Sequence, residues 1–204
     1  MSSSSGTARA TMKLGVMGGT FDPIHIGHLI LAETARQQLQ LDKVRFVVAG
    51  DPWRKAGRDI SPAQQRLAMT WMATQGNDAF EVDDCEIRRE GPTYTSVTLQ
   101  EIRAALGPHD EIYFLAGEDS LAELPHWHDP ASIWEQALIV VAPREGFEAS
   151  DTIVPADRLV RLDMPYIGIS STRLRAMAQS GLSLRYQVPE AVEAYIAKQG
   201  LYRA

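Results

Sequence analysis

The sequence predicts an α/β fold, a single Rossmann-like domain with a mainly parallel sheet, helices on both faces and a small C-terminal helical segment. Three observations carry this expectation. From Met12 onward short apolar runs alternate with helix-period segments, polar clusters fall just after several of those runs, and 204 residues are enough for one substantial domain. Apolar residues make up 45% and charged residues 23%, which excludes disordered and collagen-like classes, and a net charge of −6 weighs against a nucleic-acid or membrane-surface binder. An anionic ligand must then be met by a local cluster of donors.

Residues 1–11 are Ser-rich and lack an apolar signal core, so they are expected to be a disordered leader or an expression remnant, with the folded domain spanning 12–204. The first strand is expected at Lys13–Met17, followed by a helix over 28–40 and a second strand at Val44–Ala49. Ser61-Pro62-Ala63-Gln64 reads as an N-cap, a first-position proline and a capping-box glutamine, which opens a helix over 62–75. The run Phe80–Ile87 carries Asp83, Asp84 and Glu86 and breaks strict alternation, as an edge or bulged strand would. A helix over 95–106, strands at Ile112–Ala116 and Leu138–Ala142 with a helix over 130–137 between them, and a weaker strand at Leu159–Leu162 follow. Helices over 171–180 and 189–199 complete the pattern. The single cysteine, Cys85, cannot form an internal disulfide, so the cytoplasm is the default compartment. The longest apolar run, Ala137–Ala142, is far short of the ~20 residues that span a bilayer.

In a parallel sheet ligands gather at the carboxyl ends of the strands, so the positions of the polar clusters carry functional meaning. They stand at Gly18–His28, Asp51–Lys55, Gly117–Asp119 and Ser170–Arg175. In the first, Gly18 and Gly19 leave the strand where side chains would block a ligand, and His25 and His28 lie three apart, on one face of a helix start. Two imidazoles can there aim N–H donors at one phosphate beside free backbone N–H groups and the positive helix end. A metal pair or surface histidines are the alternatives, and the glycine pair favours the phosphate reading. In the last cluster Ser170, Ser171 and Thr172 can cap a helix or donate to a phosphate, and the fork of Arg175 can bridge two phosphate oxygens. The G-x-G-x-x-G, P-loop, G-x-S-x-G and H-E-x-x-H patterns are absent.

GGTFDPIHIGHL (18–29) with ISSTRLR (169–175) resembles the paired signature of the HxGH nucleotidyltransferase superfamily. GPTYTSVTL (91–99), FLAGEDSLAELPHW (114–127), VVAPREGF (140–147) and VPEAVEAYIAKQGLY (188–202) resemble its nicotinate mononucleotide adenylyltransferase branch. The resemblance implies adenylyl transfer from ATP to nicotinate mononucleotide in NAD biosynthesis. His25, His28 and Arg175 would act on the transferring phosphates, with Gly18, Gly19, Thr20, Phe21, Gly117, Asp119, Ser170, Ser171 and Thr172 binding ATP. Lys55, Thr95, Trp127, His128 and Arg144 would bind the mononucleotide. Magnesium would accompany ATP with few protein ligands, Asp22 being the nearest carboxylate; the same aspartate can instead organise its own loop. ATP and nicotinate mononucleotide are the implied partners, without nucleic acid or membrane, and a homo-oligomer is left open.

Three positions depart from the family's usual pattern. Pro52-Trp53-Arg54-Lys55 is one residue longer than the common PHK, Glu145 follows Arg144 where relatives often carry Pro, and His128 replaces a frequent Tyr. His126, His128 and Asp129 lack a further partner at zinc-site spacing. The rival readings are transfer to nicotinamide mononucleotide or phosphopantetheine by the same machinery, or a non-catalytic nucleotide-binding regulator. A tRNA synthetase fragment fits poorly with the negative charge.

Overall fold

β1 (Lys13–Gly19), β2 (Lys43–Val48), β3 (Phe80–Asp83), β4 (Glu111–Gly117), β5 (Leu138–Ala142) and β6 (Leu159–Arg161) pair in the order β3-β2-β1-β4-β5-β6. This is a computed structural model, and it describes residues 11–52, 60–143 and 152–203. Every strand pairing is parallel. The helices are α1 (Ile26–Leu39), α2 (Ala63–Thr74), α3 (Cys85–Arg88), α4 (Thr95–Ala105), α5 (Glu118–Glu123), α6 (Pro130–Gln136), α7 (Ser171–Gln179) and α8 (Glu190–Gln199).

Alternation along the strands sends their apolar side chains to two separate cores. Leu14, Val16, Ile112, Phe114, Ile139 and Val141 meet Leu99 and Ile102 of α4, Leu121 of α5 and Ile133 of α6. Their neighbours Met17, Tyr113, Leu115 and Val140 join Phe46 and Val48 against Ala32 of α1, Met69 of α2, Leu174 of α7 and Ile196 of α8. With both faces covered, the central strands need apolar residues throughout, which is why they read as continuous runs. The sheet grows from β1 in one direction to β3 and from β4 in the other to β6, so the crevice between the ends of β1 and β4 is a topological switch point.

Three local expectations are corrected, and one short helix had no counterpart among them. The strand expected over Phe80–Ile87 stops at Asp83, because the Asp83 carboxylate accepts the Cys85 N–H at 2.8 Å and turns the chain into α3. It is nevertheless the sheet edge, as its acidic residues foretold. Ser61 does not cap α2: the helix follows Pro62, while Ser61 gives its N–H to Asp22 Oδ2 at 3.2 Å and its carbonyl to Arg66 Nε at 2.9 Å. The first helix opens at Ile26, ahead of the expected 28. The short helix α5 begins directly after β4 and escaped the periodicity reading, since Glu118–Glu123 holds one buried apolar residue, Leu121.

Gly50, just beyond β2, is required by a close approach. A Cβ there would stand 2.2 Å from the Glu86 carbonyl oxygen, and backbone cannot rotate away as a side chain would. Gly50→Ala is therefore expected to lower stability by about 1–3 kcal/mol. Urea unfolding measures it, and an unchanged midpoint would mean that α3 is not held against β2.

Candidate active site

A cleft of about 640 Å³ opens at the switch point, lined by residues from seven separate stretches of the chain. Gly18, Gly19, Thr20, Phe21, His25 and His28 come from β1 and the start of α1, and Gly117 and Asp119 from the end of β4. Thr95, Trp127 and His128 form another part of the wall, and Ser170, Ser171, Thr172 and Arg175 arrive from α7. Lys55 and Arg144 lie outside the described residues.

His25 is the extended residue before α1 and is buried, with its ring stacked on that of His28 at a centroid distance of 3.7 Å. His28 Nδ1 accepts the backbone N–H of His25 at 3.2 Å. In the neutral ring the proton is therefore on Nε2, which remains a donor. Phe21 packs edge-on against His28, with centroids 5.1 Å apart, and holds a left-handed φ of 50°. Such a conformation costs a non-glycine residue about 1–3 kcal/mol, so its loop must be over-determined by neighbours. Gly19 makes the arrangement possible: a Cβ there would meet the Phe21 ring at 2.7 Å. Its small size makes room for the Phe21 ring, whereas a Cβ on Gly18 would make only an ordinary contact with Phe114 at 3.9 Å.

The expectation of free backbone N–H groups at the start of α1 is corrected in part. The Ile26 N–H donates to the Gln187 carbonyl and the His28 N–H to the His25 carbonyl, both at 3.0 Å. Side chains of the two histidines are thus the nearer source of donors. In the last cluster Ser170 is an N-cap, its Oγ accepting the Arg173 N–H at 3.3 Å. Ser171 Oγ donates to the Pro23 carbonyl at 2.9 Å, and Arg175 donates to the Asp22 carbonyl at 2.8 Å. The two sequence-distant motifs are therefore in direct contact.

Two groups in and under the cleft were missed in the sequence. Arg66 is 1% exposed, and its guanidinium donates to the carbonyls of Thr20, Gly50 and Ser61, joining the two loops after β1 and β2 to α2. Burial lowers its pKa, and the nearby Asp22 carboxylate opposes the shift. Nothing in SPAQQRLAM marked it, because an arginine there reads as the solvent face of a helix. Tyr94 stacks on His128 at 4.2 Å, and Ser96 Oγ donates to the His128 carbonyl at 3.1 Å. Trp127 meets Phe114 edge-on at 6.1 Å and packs partly on the core of α4 to α6, so it has one foot in the core and one in the cleft.

Glu86 is a buried carboxyl on the cleft wall, with Oε1 accepting from Thr98 Oγ1 at 2.5 Å. Burial raises its pKa above the ordinary 4.5, and the Thr98 bond opposes that. The folded chain then holds this proton more tightly than the unfolded chain. Its stabilising contribution is complete below the unfolded value and is lost as pH rises through the folded one. Relative to Glu86→Gln, the wild-type urea midpoint is thus expected to fall as pH rises above the ordinary carboxylate range. A difference that stays flat or grows with pH would contradict this.

Residues 16–177 match the cytidylyltransferase-like family. A Thermomicrobium roseum protein named "Probable nicotinate-nucleotide adenylyltransferase" is 48% identical over 197 residues, covering 94% of this chain and 92% of that protein. A Dehalococcoides mccartyi protein of the same name is 42% identical over 199 residues, covering 94% and 98%. Among solved structures, Plasmodium falciparum nicotinic acid mononucleotide adenylyltransferase complexed with NaAD has a similar fold, with a TM-score of 0.74 at 14% identity, covering 94% of this chain and 97% of that one. Its complex with APC gives 0.72 at 16% identity and the same coverage.

Proposed function

The chain belongs to the cytidylyltransferase-like family, among the nicotinate-nucleotide adenylyltransferases, and on that premise we propose that it transfers the adenylyl group of ATP to nicotinate mononucleotide. A 5′-phosphate oxygen of the mononucleotide attacks the α-phosphorus, the bond to the bridging oxygen breaks, and pyrophosphate leaves. The observation that carries this reading is the joining of the HxGH loop to α7, through Arg175 on the Asp22 carbonyl and Ser171 on the Pro23 carbonyl.

A phosphate monoester has a second pKa of about 6, so the nucleophile is mostly dianionic at neutral pH and needs no general base. The barrier is repulsion between polyanions, lowered by positioning and by donors aimed at the developing charge. In this reading the Nε2–H of His28, the His25 ring and Arg175 serve the phosphates, with Lys55 and Arg144 as further cations. Ser170, Ser171, Thr172, Gly18, Gly19, Thr20 and Phe21 line the ATP side, and Gly117 and Asp119 take the ribose. Thr95, Trp127 and His128 frame the nicotinate ring.

Magnesium enters as part of the ATP substrate, on triphosphate oxygens and water. A protein-held ion is a poor fit to the donor set. Asp22 is already engaged by Tyr202 and Ser61, and among the described residues no three His, Cys, Asp or Glu side chains converge. The same reading takes 12–204 as one nucleotidyltransferase domain in the cytoplasm; among the described residues no helix is long and apolar enough to cross a membrane.

Pyrophosphate release by the purified protein with ATP and each candidate acceptor tests the proposal, and turnover confined to another acceptor would overturn it. His28→Ala is expected to fold normally and lose about 2–4 kcal/mol of transition-state stabilisation, read from kcat; unchanged turnover would remove its role. Trp127→Ala is expected to raise KM for the mononucleotide more than for ATP. An equal rise for both would leave Trp127 with its core contacts alone.

A further inference from the structure

The C-terminal turn reaches back beneath the cleft. Tyr202 follows α8 with a left-handed φ of 61°, and its hydroxyl donates to Asp22 Oδ1 at 2.7 Å across 180 residues of sequence. Asp22 is 2% exposed, and its other carboxylate oxygen accepts the Ser61 N–H. Its carbonyl takes the Arg175 guanidinium. The tyrosine does not line the cleft, and burial followed by the Asp22 charge pushes its pKa up, so the hydroxyl remains a donor at every working pH.

We propose that Tyr202 is a positioning residue for the ATP side of the site: by fixing the Asp22 carboxylate it fixes the peptide whose carbonyl aims Arg175. The proposal rests on the adenylyl-transfer reading for its kinetic consequence and on the hydrogen-bond chain alone for its structural one. Asp22 meets three other parts of the chain: Ser61 ahead of α2 together with the charge of Arg66 in α2, α7 through Arg175, and the C-terminal turn. Of these ties the one from Tyr202, whose hydroxyl also meets the Ser61 side chain, can be deleted without removing a charge or a packed ring.

The test is Tyr202→Phe, which keeps the aromatic contacts with the core around α1, α2 and α8. The expected result is a fall of roughly tenfold in kcat/KM for ATP, with KM for nicotinate mononucleotide unchanged within about twofold. A merely structural tyrosine would lower the thermal midpoint and leave the two substrates alike. Equal effects on both, or none, would overturn the proposal. Equilibrium binding of a non-hydrolysable ATP analogue to both proteins supplies a readout independent of turnover. Should the wild type bind ATP but transfer to no acceptor, the adenylyl-transfer reading fails. Positioning then still stands or falls on whether the variant weakens the analogue.

Discussion

The arrangement depends on one constraint, that a loop near the amino end and a helix near the carboxyl end share hydrogen bonds across 148 and 153 residues of sequence. Both acceptors are backbone carbonyls, those of Pro23 and Asp22, so the link fixes the path of the loop rather than the identity of its side chains. A parallel sheet makes such a link necessary. Each strand ends at the same rim, but the elements that follow diverge, and only cross-ties can bring α7 back to the turn after β1. Arg66 works from below on the Thr20 carbonyl of the same loop, and together these ties hold Phe21 in a backbone conformation it would not adopt alone.

What was legible in the sequence follows from this division of labour. The strands could be read because two apolar faces leave each central strand little room for polar residues, and the rim clusters could be read because ligand-facing donors have no apolar partners. The cross-ties could not. Arg66 sits in an ordinary polar helix pattern and becomes buried only because α2 lies over two loops. Ser61 carries a sound capping signature, yet Asp22, 39 residues away in sequence, competes for its N–H and wins. The same competition takes the Ile26 N–H to Gln187. Local propensity is overridden where a tertiary partner is available, and here such partners concentrate around the cleft.

The charge balance gains a physical reading from the same geometry. An acidic chain presents His25, His28 and Arg175 at its cleft, from the start of α1 and from α7, while Glu86, Asp119 and Glu123 line it from α3 and α5. Arg66 adds a positive charge that does not line the cleft but bonds three carbonyls and is balanced in part by Asp22. The cation is well used there, since guanidinium supplies several donors in one plane and three loop carbonyls would otherwise be buried without partners.

A reaction whose nucleophile is already ionised places few demands on acid–base chemistry and many on geometry. In such a site an error of ångström size in the position of an existing donor costs as much as removing a moderate donor, because the developing charge is met only by groups already in place. The protein's own polar contacts around the cleft serve that demand. Ser170 caps, Ser171 ties to Pro23, and Asp22 gathers α2, α7 and the C-terminal turn. Ser170 and Ser171 also line the cleft, so these contacts set where their hydroxyls stand. The His28 imidazole and the Arg175 guanidinium that face the cleft are held by backbone, and the His25 ring is stacked on that of His28. On this argument, catalytic strength in the fold is set less by how many cations line the cleft than by how completely the peptides beneath them are tied down.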